Sequence, residues 1–163
     1  MDNFIISSEL YAGAGRRFAN LILDTIVYYV MIFIMAMFAG LLASFGHDGF
    51  LIWITGDGLD VAFFNIFLML FYYLVMESLT QRTIGKYITG TKVIMEDGSK
   101  PEAGAIAIRT LCRLIPFEVF SFFGSNARGW HDSLSRTIVV DAKKYEAALN
   151  LKNSFEEIGT TEQ

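Results

Sequence analysis

The chain has 163 residues, of which 53% are apolar and 15% aromatic, and its mean hydropathy is +0.43. One soluble domain of this size has too little interior for so much apolar surface, so part of the chain is expected to lie in a membrane. The net charge of −4 argues against a nucleic-acid partner, and the single cysteine, Cys112, excludes an intramolecular disulfide and a zinc cluster. Cys112 is interpreted as a small packing residue.

The first predicted membrane helix lies between residues 18 and 45, where the only charge is Asp24. Thr25–Phe45 gives an uncharged helix about 30 Å long, which is enough to cross the hydrocarbon. Asp24 therefore falls near one edge of the membrane, two helical turns after Arg17 and on nearly the same face. The apolar run is too long for a cleavable signal, so we expect this helix to serve as the insertion signal.

The second predicted membrane helix comprises Val61–Met76 and is interrupted only by Asn65. Ser78 and Leu79 are expected to complete the crossing, with Glu77 at the boundary. The loop at residues 46–60 holds aspartates and no lysine or arginine, whereas basic residues flank both helices on their other side. The positive-inside bias therefore places both ends of this helical hairpin in the cytoplasm.

Two short β-strands are predicted in the remaining third. Tyr87–Met95 has the composition of a strand, and Asp97-Gly98 is a turn signal. Thr137–Val140 is a second β-branched run, which we expect to pair with Lys92–Met95. The tail from Asp141 onward is polar and is expected to be solvated and partly helical.

Between these strands, Ala103–Phe123 has helical character but carries Arg109, Arg113, Pro116 and Glu118. An interfacial or re-entrant segment bent at Pro116 keeps the basic C-terminal part in the cytoplasm; a third full crossing is the alternative. The predicted fold class is an all-α membrane protein with two transmembrane helices, this third bent, re-entrant or transmembrane segment, and a small cytoplasmic β element. Residues 1–140 would form the membrane domain and residues 141–163 the cytoplasmic tail.

Four short motifs follow one another along the chain: Arg17-x6-Asp24, Gln81-Arg82-Thr83-Ile84-Gly85-Lys86, Val93-x3-Asp97-Gly98 and His131-Asp132-x4-Thr137-x-Val139-Val140. Their order resembles the RDD family, a bacterial membrane-protein family named for an arginine and two aspartates. The resemblance covers about residues 11 to 140. It maps the naming residues to Arg17, Asp24 and Asp132.

The resemblance implies a small multi-pass protein of the bacterial inner membrane, with a cytoplasmic N-terminus. It also implies a transporter class, since some members are associated with sodium–proton antiport. We therefore expect the lipid bilayer and a small cation such as Na⁺ as partners. No catalytic constellation stands out, so neither enzymatic activity nor a cofactor is expected. His131 beside Asp132 lacks the spacing of a metal site.

The candidate ion pathway or charge cluster can be interpreted in two ways. Asp24 and Glu77 should lie at one depth on neighbouring helices, where two carboxylates can hold a proton or a cation. Alternatively, arginines neutralise them and fix how the helices dock, as in a non-transporting scaffold or accessory protein. The cluster candidates are Arg17, Asp24, Glu77, Arg109, Arg113 and Asp132, with Thr83, Gly85, Lys86, His131 and Thr137 as further motif residues.

Three smaller features complete the expectations. Gly85 is expected to let the backbone leave the second helix, and Lys86 to meet lipid phosphates. Asn65 is interpreted as an interhelical hydrogen-bonding residue. Small residues at Ala36, Gly40 and Ser44 favour close helix packing within the chain, with packing between two copies in a homo-oligomer as the alternative.

Overall fold

The computed structural model of the protein describes residues 7–115 and 129–161. These residues are mostly helical, with one two-stranded sheet. After a 3-10 turn at Ser8–Leu10 the elements are α1 (Ala14–Ser44), α2 (Gly49–Ile54), α3 (Leu59–Thr80), α4 (Ile84–Thr89), β1 (Thr91–Met95), α5 (Ala103–Cys112), α6 (Trp130–Leu134), β2 (Thr137–Asp141) and α7 (Ala142–Thr161).

The helices α1 and α3 are long and apolar enough to cross a membrane, with 31 and 22 residues. At ~1.5 Å per residue, α1 reaches about 46 Å and so exceeds the hydrocarbon thickness. Only 6% and 17% of their most apolar windows are buried against the rest of the protein. Both helices therefore turn their apolar side chains outward, as lipid-facing helices do and the core helices of soluble proteins do not.

Hydrogen bonds connect the two long helices. The Tyr28 hydroxyl donates to the Asn65 amide oxygen over 3.2 Å, so Asn65 has the predicted interhelical role. The predicted close packing at Gly40 is wrong, because a Cβ added there would meet nothing within 4 Å. The buried small residue on this stretch of α1 is Ala39. Packing of the small residues between two copies stays a prediction.

The two strands pair antiparallel, with Thr91 opposite Asp141 and Met95 opposite Thr137. Tyr11, which precedes α1, forms an isolated antiparallel bridge to Val140 of β2. One core of the sheet comprises Ile94, Ile138, Val140 and Tyr145, with Leu10, Tyr11 and Leu149 packed against it. Since Tyr145 and Leu149 belong to α7, the first half of that helix is docked on the sheet.

The prediction of a strand over residues 87–95 is wrong for its first part, because α4 occupies Ile84–Thr89. The Thr83 hydroxyl caps this helix by accepting from the Lys86 N–H over 3.3 Å. Gly90 then ends it in the left-handed conformation, with φ of +68°. The two caps outweigh the β propensity of the residues between them.

The third helical segment is described over its first half. Helix α5 ends at Cys112, which is buried, and a turn follows as far as residue 115. The predicted bend at Pro116, together with Glu118 and Arg128, lies outside the described residues. Helix α5 packs against α3 and α6, so its side chains reach the end of the second long helix.

Candidate functional site: a buried charge cluster

Helix α1 carries a buried polar stripe in an otherwise apolar sequence. Arg17, Asn20 and Asp24 are 6%, 5% and 2% exposed, and their spacing places them on one face of the helix. Helix α4 packs against α1. The stripe therefore faces protein rather than lipid, which is where polar groups at membrane depth are tolerated.

Glu77, in the last turns of α3, is completely buried and accepts hydrogen bonds from three cations. Its Oε1 accepts from Lys86 Nζ at 2.8 Å and from Arg113 Nη2 at 3.1 Å. Its Oε2 accepts from Arg109 Nε at 2.9 Å. Both oxygens of this carboxylate are thus occupied by charge-assisted hydrogen bonds.

Asp132, in α6, is the second completely buried carboxylate. One of its oxygens accepts from Arg17 and from the Gly129 N–H, the latter at 3.2 Å. The other accepts from Arg109 and lies 3.3 Å from His131 Nε2. Asp132 therefore both pairs with arginines and closes the turn that begins α6.

Arg109 joins the two carboxylates, because its guanidinium donates to both Glu77 and Asp132. It also donates to the Thr137 hydroxyl on β2 at 3.0 Å. Burial alone would lower the pKa of Arg109, but the adjacent Asp132 and Glu77 carboxylates raise it above its ordinary value. Arg109 is therefore charged when the protein is folded.

The same balance acts on the other groups outside the long helices. Burial alone would raise the pKa of Asp132, but Arg109, His131 and Arg17 hold it well below its usual range. Burial lowers the pKa of Lys86, and the adjacent Glu77 opposes that shift. The prediction that Lys86 meets lipid phosphates is wrong, since Lys86 is 3% exposed and pairs with Glu77.

Asp24 has a different environment, made of neutral donors. It accepts from the Tyr72 hydroxyl at 2.9 Å, the Thr83 hydroxyl at 2.6 Å and the Gly85 N–H at 2.9 Å. Within residues 7–115 and 129–161, it forms no salt bridge. The interpretation in which Arg17 or another arginine neutralises Asp24 is therefore not met: the Arg17 guanidinium turns to Asp132 and to the Ala12 carbonyl.

Gly85 sits where α4 approaches α1 most closely. A Cβ at this position would lie 2.7 Å from the Asn20 carbonyl oxygen and 2.9 Å from Asp24 Oδ1. Gly85 thus permits the close approach that lets its N–H reach Asp24. Its predicted role in leaving the second helix belongs instead to Gln81, which ends α3 with a left-handed φ of 61°.

We expect Gly85→Ala to lower the free energy of unfolding by about 1–3 kcal/mol, because the new methyl group must displace backbone. The matched control is Gly104→Ala in α5, where a Cβ would meet nothing within 4 Å. That control should be neutral or gain up to about 1 kcal/mol from the lower entropy of alanine. Unfolding in mixed detergent micelles, followed by circular dichroism, measures both; equal stabilities would contradict the packing described.

Several members of the site were not predicted. Asn20 donates to the Thr91 hydroxyl at 3.0 Å, and the Arg113 guanidinium stacks 3.9 Å from the centre of the Tyr73 ring. The position of Asn20 between Arg17 and Asp24 on one helix face was the available signal. Among the described residues, no group of three or more His, Cys, Asp or Glu side chains could hold a metal ion.

A sequence model of the RDD family matches residues 11–136. The matched range contains Arg17, Asp24 and Asp132 and the other charged members of the cluster. Comparison with curated proteins found no match, and neither did comparison with solved structures.

Proposed function

The chain belongs to the RDD family, and from this membership and the geometry of its charge cluster we propose a non-catalytic scaffold or accessory function at the bacterial inner membrane. The family and the two apolar helices make it an integral membrane protein. In this proposal the charge cluster is a structural lock, by which we mean a set of buried ion pairs that holds the helices in fixed positions. One observation carries this proposal. Glu77 and Asp132 are buried carboxylates, and cationic side chains bind both oxygens of each.

The proposed orientation has α1 and α3 crossing the membrane and the charge cluster at its cytoplasmic edge. The connection between them, residues 45–58, contains aspartates and no lysine or arginine. Basic residues lie at the opposite ends of the two helices and in the segments that follow. The positive-inside bias favours a cytoplasmic N-terminus and a cytoplasmic sheet.

The lock connects elements that are far apart in sequence. Arg17 and Asp132 join α1 to α6, and Glu77 joins α3 to both Lys86 of α4 and Arg109 of α5. The sheet is attached to the same cluster, because the Thr137 hydroxyl on β2 accepts a hydrogen bond from Arg109. The lock would thereby hold a folded cytoplasmic element in a fixed position on the membrane helices, as docking a partner requires.

An ion-exchange role fits Glu77 and Asp132 poorly. A transported cation would have to displace arginine or lysine from a completely buried carboxylate. Separating a buried ion pair by removing one partner costs about 3–5 kcal/mol, which is a large part of the stability of a small domain.

Permeation of a small cation, of the sodium–proton antiport type, is the second candidate. The observation that favours it is Asp24, a buried carboxylate that accepts only neutral donors among the described residues. Such a group can exchange a proton for a cation without breaking an ion pair. In this case Asp24 would carry the exchange, and its hydrogen bonds from Tyr72, Thr83 and Gly85 would position it.

Flux and stability measured together separate the two candidates. Purified protein in liposomes containing a pH-sensitive dye is given pulses of sodium, lithium or potassium. The structural lock predicts no proton flux above that of protein-free liposomes. It also predicts that Asp24→Asn lowers the free energy of unfolding by about 1–3 kcal/mol, because an amide cannot accept all three hydrogen bonds.

The control for this test is Asp57→Asn, an exposed aspartate in the connection between α1 and α3, which should change neither quantity. A cation-driven flux in the wild type that disappears in a stable, folded Asp24→Asn variant would reject the lock in favour of permeation.

A further inference from the structure

A partly open cavity of about 40 Å³ lies within the charge cluster. At ~10–15 Å³ for each water-sized position, this is room for about three waters or for one small ion. Ten residues line it: Arg17, Asn20, Leu21, Asp24, Tyr73, Lys86, Arg109, Arg113, His131 and Val139. We propose that this cavity is a binding site for a small monovalent anion of the size of chloride.

The balance of charge around the cavity supports an anion. Among the described residues, four cationic side chains line the cavity, and three carboxylates line it or pair with those cations. Without His131, four minus three leaves one surplus positive charge. The cations are Arg17, Lys86, Arg109 and Arg113, and the carboxylates are Asp24, Glu77 and Asp132. An uncompensated buried charge is costly. One monovalent anion would balance it.

A buried donor supports the same ligand. The Nε of Arg113 is buried and has no hydrogen-bond partner among the described residues. Its neighbour Nη2 is held by Glu77, and stacking on Tyr73 fixes the plane of the guanidinium. Burying an unsatisfied donor is costly, and more so when it belongs to a charged group. An anion in the cavity that Arg113 and Tyr73 line would accept from it.

A cation is disfavoured in the same space. Arg17, Lys86, Arg109 and Arg113 would all repel it. The one carboxylate that lines the cavity is Asp24, whose oxygens already accept three hydrogen bonds. The anion site is independent of the scaffold function, and a protein without transport activity can still hold the ion.

The test uses the purified full chain in detergent. Its melting temperature is measured by circular dichroism as sodium chloride replaces sodium gluconate at constant ionic strength. A ligand that binds only the folded state stabilises it in proportion to ln(1 + [L]/Kd), where [L] is the ligand concentration. The melting temperature should therefore rise with the chloride concentration along this logarithmic curve. Gluconate is too large for the cavity and should have no such effect.

Arg113→Gln should weaken the apparent affinity for chloride at least about tenfold, a loss of about 1.4 kcal/mol. Arg113→Lys keeps the charge but lacks the Nε donor, so it should also weaken the apparent affinity for chloride. This variant serves as the test if the glutamine variant does not fold. Arg82→Gln is the matched control, because Arg82 also pairs with a glutamate, Glu146, and stacks on a tyrosine, Tyr87, but lies outside the cavity. It should keep the wild-type response.

Three results would overturn the proposal. The melting temperature could be equal in chloride and gluconate, which would mean that water fills the cavity. Arg82→Gln could weaken the response as much as Arg113→Gln, which would indicate general screening of charge. Phosphatidylglycerol, added to chloride-free protein, could stabilise it where chloride does not, which would assign the surplus charge to a lipid phosphate.

Discussion

Replacing Glu77 with glutamine is expected to lower the free energy of unfolding by about 3–5 kcal/mol, the usual cost of removing one partner from a buried ion pair. Glutamine has nearly the same shape, so the loss comes from charge and not from packing. Lys86, Arg109 and Arg113 would share a neutral amide in a site that is completely buried. Unfolding in mixed micelles measures the change.

The matched control is Glu146→Gln. Glu146 also binds an arginine, Arg82, at 3.1 Å, but its side chain is 55% exposed. Exposed ion pairs contribute at most about 1 kcal/mol, so this variant should remain close to the wild type. If Glu77→Gln were equally mild, the cluster would not be holding the fold together.

The second large effect is expected from Asp132→Asn, again with a loss of about 3–5 kcal/mol at neutral pH. The substitution leaves Arg17 without a carboxylate and Arg109 with Glu77 alone, and it turns an amide N–H₂ towards one of the two arginines. Asp97→Asn is the control, because Asp97 is exposed in a turn that asparagine also favours. Its stability should remain close to that of the wild type.

The stability lost in Asp132→Asn should depend on pH. Folding lowers the pKa of Asp132, so the unfolded state takes up its proton first as the pH falls. The contribution of this carboxylate is therefore fully present above the unfolded pKa of about 3.9 and declines as the pH falls below it. The difference in unfolding free energy between wild type and Asp132→Asn should shrink over that acidic range. A difference that grew there would contradict the ion pairs described.

The long helices could be predicted because hydrophobic runs determine them directly. Val61–Met76 lies inside α3, and Thr25–Phe45 lies inside α1 except for Phe45, which follows its last residue. The start of α1 at Ala14 was missed because Arg17 does not satisfy a hydrophobicity criterion, whereas α3 ends one residue beyond the predicted Leu79. Arg17 and Glu77 are tolerated at the helix ends because other elements of the fold bury and pair them.

Which residues pair within the cluster could not be predicted from the sequence. The spacing of Arg17 and Asp24 suggested that they pair, but the Arg17 side chain points to Asp132, which is distant in sequence. Lys86 was assigned to lipid because a lysine after a membrane helix usually meets phosphates; α4 turns it inward to Glu77 instead. Helix α4 itself was mistaken for a strand, since its caps at Thr83 and Gly90 are short-range signals that the β-branched residues obscured.

The most direct test of the structural lock is the free energy of unfolding and the cation-driven proton flux of Glu77→Gln, measured on one preparation beside the wild type. We predict a loss of about 3–5 kcal/mol in stability and, for both proteins, a flux equal to that of protein-free liposomes. A variant as stable as the wild type that has lost a sodium-driven proton flux present in the wild type would contradict the lock and make Glu77 an exchange site.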